Sequence, residues 1–146
     1  MANERRQSRP LTIIDNPDRD DIHFLDDPLY EYNVSATGIT DGRLLAIFVR
    51  DDAGSILAGL YGWTWGGCCE IKMLWVREDL RHEGLGTRLM TAAQAEARSR
   101  GAVQMVLSTH SFQAPEFYRR LGFETVGDFG DYPRGHRNIF LRKSLH

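Results

Sequence analysis

An α/β fold built on a mixed central sheet, antiparallel in its first half and parallel at its centre, is what this sequence predicts, and three observations predict it. Three apolar strand patterns follow one another between residues 44 and 76, separated only by short polar or glycine turns, which makes an antiparallel meander. A long helical pattern, Leu85 to Arg100, then separates the third strand from a compact apolar run, Val103 to Leu107. A strand, helix, strand unit of this kind sets its two strands parallel, with helices flanking the sheet. With 146 residues the chain is long enough for one domain with a substantial core.

Residues Met1 to Arg9 are polar and arginine-rich without a period, which predicts a disordered arm and leaves residues 10–146 as a single domain. Pro10 to Ile14 is a candidate first strand. From Asp15 to Thr37 the apolar residues Ile22, Phe24, Leu25, Leu29 and Tyr32 keep a broken helical spacing, interrupted by Pro17 and Pro28. Gly38 to Gly42 reads as a loop and Leu44 to Val49 as a strand. Asp51-Asp52-Ala53-Gly54 is a turn signal, with Ile56 to Trp65 as the returning strand. Gly66-Gly67 turns the chain into a third strand, Cys68 to Val76. In the long helix Leu85, Leu89, Ala93 and Ala97 recur every four residues, and Met90 and Ala92 broaden the stripe. Arg98 and Arg100 fall in its last turn, and Gly101 suits the left-handed cap position. Ala114 to Leu121 is a short helix with Pro115 near its start. Phe123 to Val126 and Asn138 to Arg142 are closing strands.

Composition narrows the function classes. Apolar content of 42% and charged content of 26% belong to an ordinary soluble globular protein. A net charge of −2 argues against a general nucleic-acid binder. No apolar run reaches the length of a membrane span and the charged N-terminus lacks a secretory apolar region, so a cytoplasmic location is expected. Cys68 and Cys69 are neighbours on a strand and point to opposite sides, so a disulfide between them would be strained. One such pair cannot build a zinc site, and His23, His82, His110 and His136 show no metal spacing. No metal is expected, and structural burial is the reading for both thiols.

The stretch Arg81-His82-Glu83-Gly84-Leu85-Gly86-Thr87 joins an apolar strand to a helix start. A glycine-bearing turn at that junction offers free backbone N–H groups and the positive end of a helix dipole to an anion. A Cβ at Gly84 or Gly86 would block the approach of a phosphate or the backbone angles required. Thr87 adds a hydroxyl, and Arg81 reads equally as a phosphate contact or a solvated loop residue.

Three features together resemble the GCN5-related N-acetyltransferase (GNAT) superfamily, which uses acetyl-coenzyme A. They are the Arg-x-x-Gly-x-Gly turn of Arg81, Gly84 and Gly86, the preceding strand ending Leu74-Trp75-Val76, and the Ala-x-x-x-Tyr-x-x-x-Gly-Phe segment of Ala114, Tyr118, Gly122 and Phe123. The likeness runs from about Leu44 to the C-terminus. It implies a splayed parallel centre in the sheet and a pyrophosphate held by N–H groups from Glu83, Gly84, Leu85, Gly86 and Thr87. It implies that Leu74 and Val76 meet the pantetheine arm through their backbone, with the Leu74 N–H on the thioester oxygen. Tyr118 stands at the family's general-acid position and Glu70 where some members carry a glutamate that deprotonates the amine through water. Ser111 stands where an asparagine often reaches the pantetheine, with Gln113 as a substitute. The implied reaction is transfer of an acetyl group from acetyl-CoA to a primary amine of a small molecule or peptide, by direct attack in a ternary complex. The family's habit is a homodimer.

Each residue also has a plainer reading. Tyr118 would anchor its helix to the core, and Glu70 would form a strand-end ion pair with Lys72, on the same face by period two. Tyr61, Trp63 and Trp65 share a face, either as a wall for a substrate cation or, more commonly, as core packing. His110 sits at a strand end near the expected cleft, and the Asp128 to Pro133 loop either shapes the substrate mouth or is solvated. At the level of the whole chain the alternatives are a non-catalytic acyl-CoA-binding module and another phosphate-ligand enzyme. The latter lacks the Lys-Ser/Thr of a P-loop.

Overall fold

A computed structural model of the chain describes residues 9–146, which form two compact units, one ending at Gly38 and one beginning at Ile39. The disorder expected of the N-terminal arm falls, but for Arg9, outside the described residues. In the first unit, α1 (Arg19–Phe24) starts from Asp18, whose carboxylate accepts the Asp20 N–H at 2.8 Å. Helix α2 (Asp26–Thr37) ends on Gly38 at φ 73°. Pro28 does not interrupt it: the residue lies in the first turn, where an N–H has no intrahelical partner to lose. The strand expected at Pro10 to Ile14 does not form. A strand needs a neighbour to take its backbone groups, and this segment pairs with none among the described residues.

The second unit is a six-stranded sheet in the order β1-β2-β3-β4-β6-β5. Its strands are β1 (Arg43–Arg50), β2 (Ile56–Trp65), β3 (Cys68–Val76), β4 (Gln104–His110), β5 (Glu124–Gly130) and β6 (Arg137–Ser144). The first three form the antiparallel meander, β3 and β4 run parallel, and β6 is antiparallel to both β4 and β5. The last three strands run further than their apolar cores imply. Ser108, Thr109 and His110 continue β4 because β6 supplies partners as far as Asn138.

Helix α3 (Leu85–Ser99) connects β3 to β4 and lays Leu89, Met90, Ala93 and Ala97 on the sheet. Met90, Ala93 and Ala97 meet Leu45, Leu60, Cys69, Ile71, Met105 and Leu141 in one core. The helix closes on Gly101 at φ 83°, with the Ala102 N–H reaching the Ala97 carbonyl at 2.9 Å and the Gly101 N–H the Arg98 carbonyl at 2.9 Å. This is a Schellman cap, and Ala97 and Ala102 are buried together beneath it. Arg100 ties the helix end to the sheet, donating to the Leu44 carbonyl at 2.9 Å and pairing with Glu96 at 2.8 Å. Lys143 of β6 donates to Gln94 at 2.9 Å and to the Leu121 carbonyl at 2.6 Å.

Both cysteines are free, Cys69 fully buried and Cys68 half-buried. Burial pushes both thiols up, Cys69 to about 11. Tyr61, Trp63 and Trp65 do share a face, yet it is not the core face. On β2 the core takes Ala58, Leu60, Gly62 and Thr64, and the aromatics stand half-buried on the other side. A strand carries two faces, and here the small residues take the side under α3.

Candidate active site

Strand β3 is paired to β4 only from Cys68 to Ile71, after which the two part. The divergence begins at a bulge: Gly62 of β2 faces Ile71, Tyr61 faces Met73, and Lys72 is the extra residue. Gly62 makes the bulge sterically feasible, since a Cβ there would stand 1.9 Å from the Glu70 carbonyl oxygen. Beyond it the Arg77 N–H reaches the Leu57 carbonyl of the β2 side at 2.9 Å. Alternation along an antiparallel ladder then turns Met73 and Trp75 toward β2, and turns the peptide groups of Leu74 and Val76 into the gap. The Val76 carbonyl is taken by Arg81, whose Nε donates to it at 2.9 Å. Arg81 is therefore a tether that folds the turn back on its own strand, a third role that spacing does not reveal.

The turn enters α3 through two left-handed residues, His82 at φ 65° and the helix-capping Gly84 at φ 80°. The first helical bond runs from the Arg88 N–H to the Gly84 carbonyl at 3.0 Å. The N–H groups of Glu83, Gly84, Leu85, Gly86 and Thr87 have no acceptor among the described residues. Five adjacent donors at the positive end of a 15-residue helix fit a pyrophosphate. Gly86 lies under a neighbour: a Cβ there would come within 3.3 Å of the Phe117 ring and 4.0 Å of Val76. Gly84 has open space, so its requirement is the backbone angle alone.

Helix α4 (Pro115–Arg120) carries Tyr118 into the core. The helix ends in a second Schellman cap, the Phe123 N–H reaching the Tyr118 carbonyl at 3.1 Å and Gly122 standing at φ 94°. The accompanying apolar contact is Tyr118 against Phe123, edge to face at 5.9 Å, with Phe117 on another side at 5.1 Å. Thus the Tyr-x-x-x-Gly-Phe spacing is, locally, a helix-stop that fixes the tyrosine ring. Burial pushes the phenol up to about 12. Its hydroxyl makes no hydrogen bond among the described residues.

Ser111 and Gln113 serve the loop after β4. The Ser111 hydroxyl accepts the Arg137 N–H at 3.1 Å, and the Gln113 side-chain oxygen accepts the His110 N–H at 2.8 Å. Glu70 and Lys72 both border a cavity of about 560 Å³ on the sheet face opposite α3, with Val106, Ser108, Phe129, Phe140 and Arg142. Glu70 and Lys72 form no ion pair among the described residues, so the strand-end pair is not made. At the far end of β4, His110, Phe112, Tyr132 and His136 form an aromatic cluster that sequence reading did not assemble, because the β5–β6 loop supplies half of it. A glycine inside a strand pattern was the available signal for Gly62.

A parallel strand pair parting beside a donor-rich helix start is the arrangement of an acetyltransferase fold. The comparisons agree. Residues 43–125 match the acetyltransferase (GNAT) domain, and the chain belongs to this family of acetyltransferases. Over 117 residues it is 35% identical to an acetyltransferase of Agrobacterium fabrum, covering 80% of this chain and 85% of that one. Over 116 residues it is 34% identical to blasticidin-S acetyltransferase of Streptomyces morookaense, covering 75% and 83%. A crystal structure from Agrobacterium tumefaciens, described as an acetyltransferase, superposes with a TM-score of 0.82 at 32% identity over 93% of this chain and 99% of that one. An aminoglycoside 6′-N-acetyltransferase complexed with coenzyme A shares the fold, with a TM-score of 0.62 at 19% identity over 92% and 98%. No helix among the described residues is long and apolar enough to cross a membrane.

Proposed function

We propose that the protein transfers an acetyl group from acetyl-CoA to a primary amine by direct attack in a ternary complex. The observation that carries this reading is the parting of β3 from β4 beside the unpaired N–H groups at the start of α3. Leu85, Gly86 and Thr87, with Glu83 and Gly84, hold the pyrophosphate, and the backbone of Leu74 and Val76 pairs with the amide-rich pantetheine arm. The Leu74 N–H receives the negative charge that develops on the thioester oxygen. Tyr118 donates a hydrogen bond to the sulfur as it leaves. Arg81 shapes the cradle through Val76, and Ser111 supports it by fixing the loop after β4.

The acceptor class we favour is a small-molecule amine, on the strength of the blasticidin-S relative. Residues 10–146 then act as one acetyltransferase domain, without a metal, in the cytoplasm where acetyl-CoA is made and used, as a homodimer. Isothermal titration with acetyl-CoA, CoA and ATP tests the cofactor. Binding of the first two and not ATP is expected, and failure of both CoA species to bind refutes the reading. Thiol release on addition of blasticidin S, simple polyamines or a lysine peptide then identifies the acceptor. Tight CoA binding without thiol release from any amine indicates an acyl-CoA-binding module instead.

A further inference from the structure

We propose that His110 is the base that takes the proton from the acceptor amine and that Asn138 positions that amine, roles that rest on the acetyltransferase reading above. Val106, Ser108 and His110 alternate onto one face of β4, and the first two line the cavity. The last parallel pair is Ile71 with Leu107. His110 lies three residues beyond that pair on β4, and Leu74, whose N–H faces the gap, lies beyond it on β3 after the Lys72 bulge. Glu70 is paired with Val106, four residues back along both strands. At about 3.3 Å per residue it lies roughly 13 Å from the level of the oxyanion donor. A base at His110 works directly where one at Glu70 would need a chain of water.

The ring is also prepared for the task. His110 Nδ1 lies 2.9 Å from the Tyr132 carbonyl oxygen, which can only accept. Nδ1 therefore carries the proton, and the neutral ring leaves its lone pair on Nε2. Phe112 stacks on the ring at 5.4 Å and 7°, and Tyr132 meets it edge to face at 5.1 Å. A base oriented by a third group is the arrangement that activates attack in many transferases.

Directly opposite His110 in the β4–β6 register stands Asn138, on the same face. It is only 8% exposed, and its Oδ1 is buried with no donor among the described residues. A buried acceptor left without a donor is unfavourable, so a native structure keeps one where a ligand group is received. An N–H of the amine supplies the missing donor.

The amine nitrogen bonds to the acetyl carbon, its proton passes to Nε2, and the C–S bond breaks. The thiolate leaves under the Tyr118 hydrogen bond and takes a proton from solvent, and the imidazolium returns one to solvent. The ionisable groups facing His110 from the elements around it include His136, Asp131, Tyr132 and Arg134 of the β5–β6 loop, Glu70 and Lys72 of β3, Arg142 of β6, and Arg137 and Asp128, which pair with each other.

His110→Asn tests the assignment, since the Asn amide nitrogen stands in for Nδ1–H and keeps the Tyr132 tether while Nε2 is lost. Roughly a 10²–10³-fold fall in kcat/KM is expected, in the range general-base catalysis supplies. The acidic limb of the pH–rate profile should disappear with it, at unchanged acetyl-CoA affinity. Asn138→Ala should raise the KM for the amine and leave that limb in place. Long-range nitrogen–proton NMR on histidine-labelled protein reads the tautomer without any acceptor and should give Nδ1–H for His110. An Nε2–H tautomer, or an acidic limb that survives His110→Asn and vanishes in Glu70→Gln, overturns the proposal. Wild-type protein that binds no acetyl-CoA, or releases no thiol, refutes the underlying reading instead.

Discussion

Gly62→Ala places a methyl group against backbone rather than against a side chain. The added Cβ would stand 1.9 Å from the Glu70 carbonyl oxygen and 3.0 Å from both the Glu70 carbonyl carbon and the Ile71 Cα. Contacts under 3.0 Å essentially do not occur for a real Cβ, so β2 and β3 must separate by more than about 1 Å. A backbone hydrogen bond of about 2.9 Å stretched that far ceases to be one. Two flanking bonds at about 1 kcal/mol each, plus about 1–2 kcal/mol of overpacking strain, bring the cost to about 3–4 kcal/mol. For a unit of this size that lowers Tm by about 12–16 °C. Gly59→Ala is the control on the same strand: its Cβ would meet the Phe48 ring, which is half exposed and can swing aside, at 2.8 Å, and the Ile47 carbonyl oxygen only at 3.3 Å. Its cost should stay below about 1 kcal/mol, the range of tolerated core changes. Differential scanning calorimetry of both variants, followed by acetyl-CoA titration, makes the comparison. Equal melting shifts would refute the claim that Gly62 holds the bulge. A destabilised Gly62→Ala that binds acetyl-CoA as wild type would sever the bulge from the cofactor site.

Replacing Gly86 by valine should abolish acetyl-CoA binding in a calorimetric titration, because the side chain crowds both the donor row and Phe117. Gly84→Ala meets no neighbour, so it should cost only the left-handed backbone penalty of about 1–2 kcal/mol, seen as a lower Tm and a weaker affinity. Tyr118→Phe should leave acetyl-CoA affinity intact and depress turnover in a thiol-release assay, and full activity would remove the tyrosine from the chemistry. Tyr118 titrates at about 12 in the folded protein and at about 10 when unfolded, so the folded state holds the proton more tightly. Its contribution is complete below about pH 10 and is lost as pH rises toward 12, a slope in denaturant stability that Tyr118→Phe should flatten. Cys69, buried and raised to about 11, should resist iodoacetamide at pH 8 in the native state and react once the protein is unfolded.

Periodicity made most of the sheet legible: β2 and β3 begin and end where their apolar runs do, and the four-residue stripe from Leu85 marks α3. It failed where a strand is held by partners rather than by its own apolarity, as at the polar end of β4 and beyond Val126 in the exposed β5. Pro10 to Ile14 is the converse case, an apolar strand pattern without a pairing edge. Local motifs marked the turn into α3 and the stop of α4, because Gly84 and the Gly122-Phe123 cap impose local geometry. Spacing could not reveal that Arg81 turns back to Val76, or that Tyr132 and His136 come to lie against His110. Those contacts depend on loop closure, which a one-dimensional pattern does not carry.

The burial of Tyr118 separates two tasks, assisting the departing sulfur and taking the proton of the amine. A phenol at about 12 facing a thiolate whose conjugate acid lies near 8.5 would give up its proton against a gap of about 3.5 units, or about 5 kcal/mol. On the proposed reading, transfer from Tyr118 to sulfur is therefore unfavourable, and the phenol, undissociated at neutral pH, offers the sulfur a hydrogen bond instead. Such a bond lowers the energy of the departing thiolate but neither adds nor removes a proton. The amine still has to shed its own, and Tyr118, already protonated and buried, cannot receive it. On the proposed mechanism a second group with a free lone pair stands on the amine's side of the thioester. The Nε2 atom of His110, left free by the Tyr132 carbonyl and set on β4 beyond the last β3–β4 pair, is the group we propose for that task.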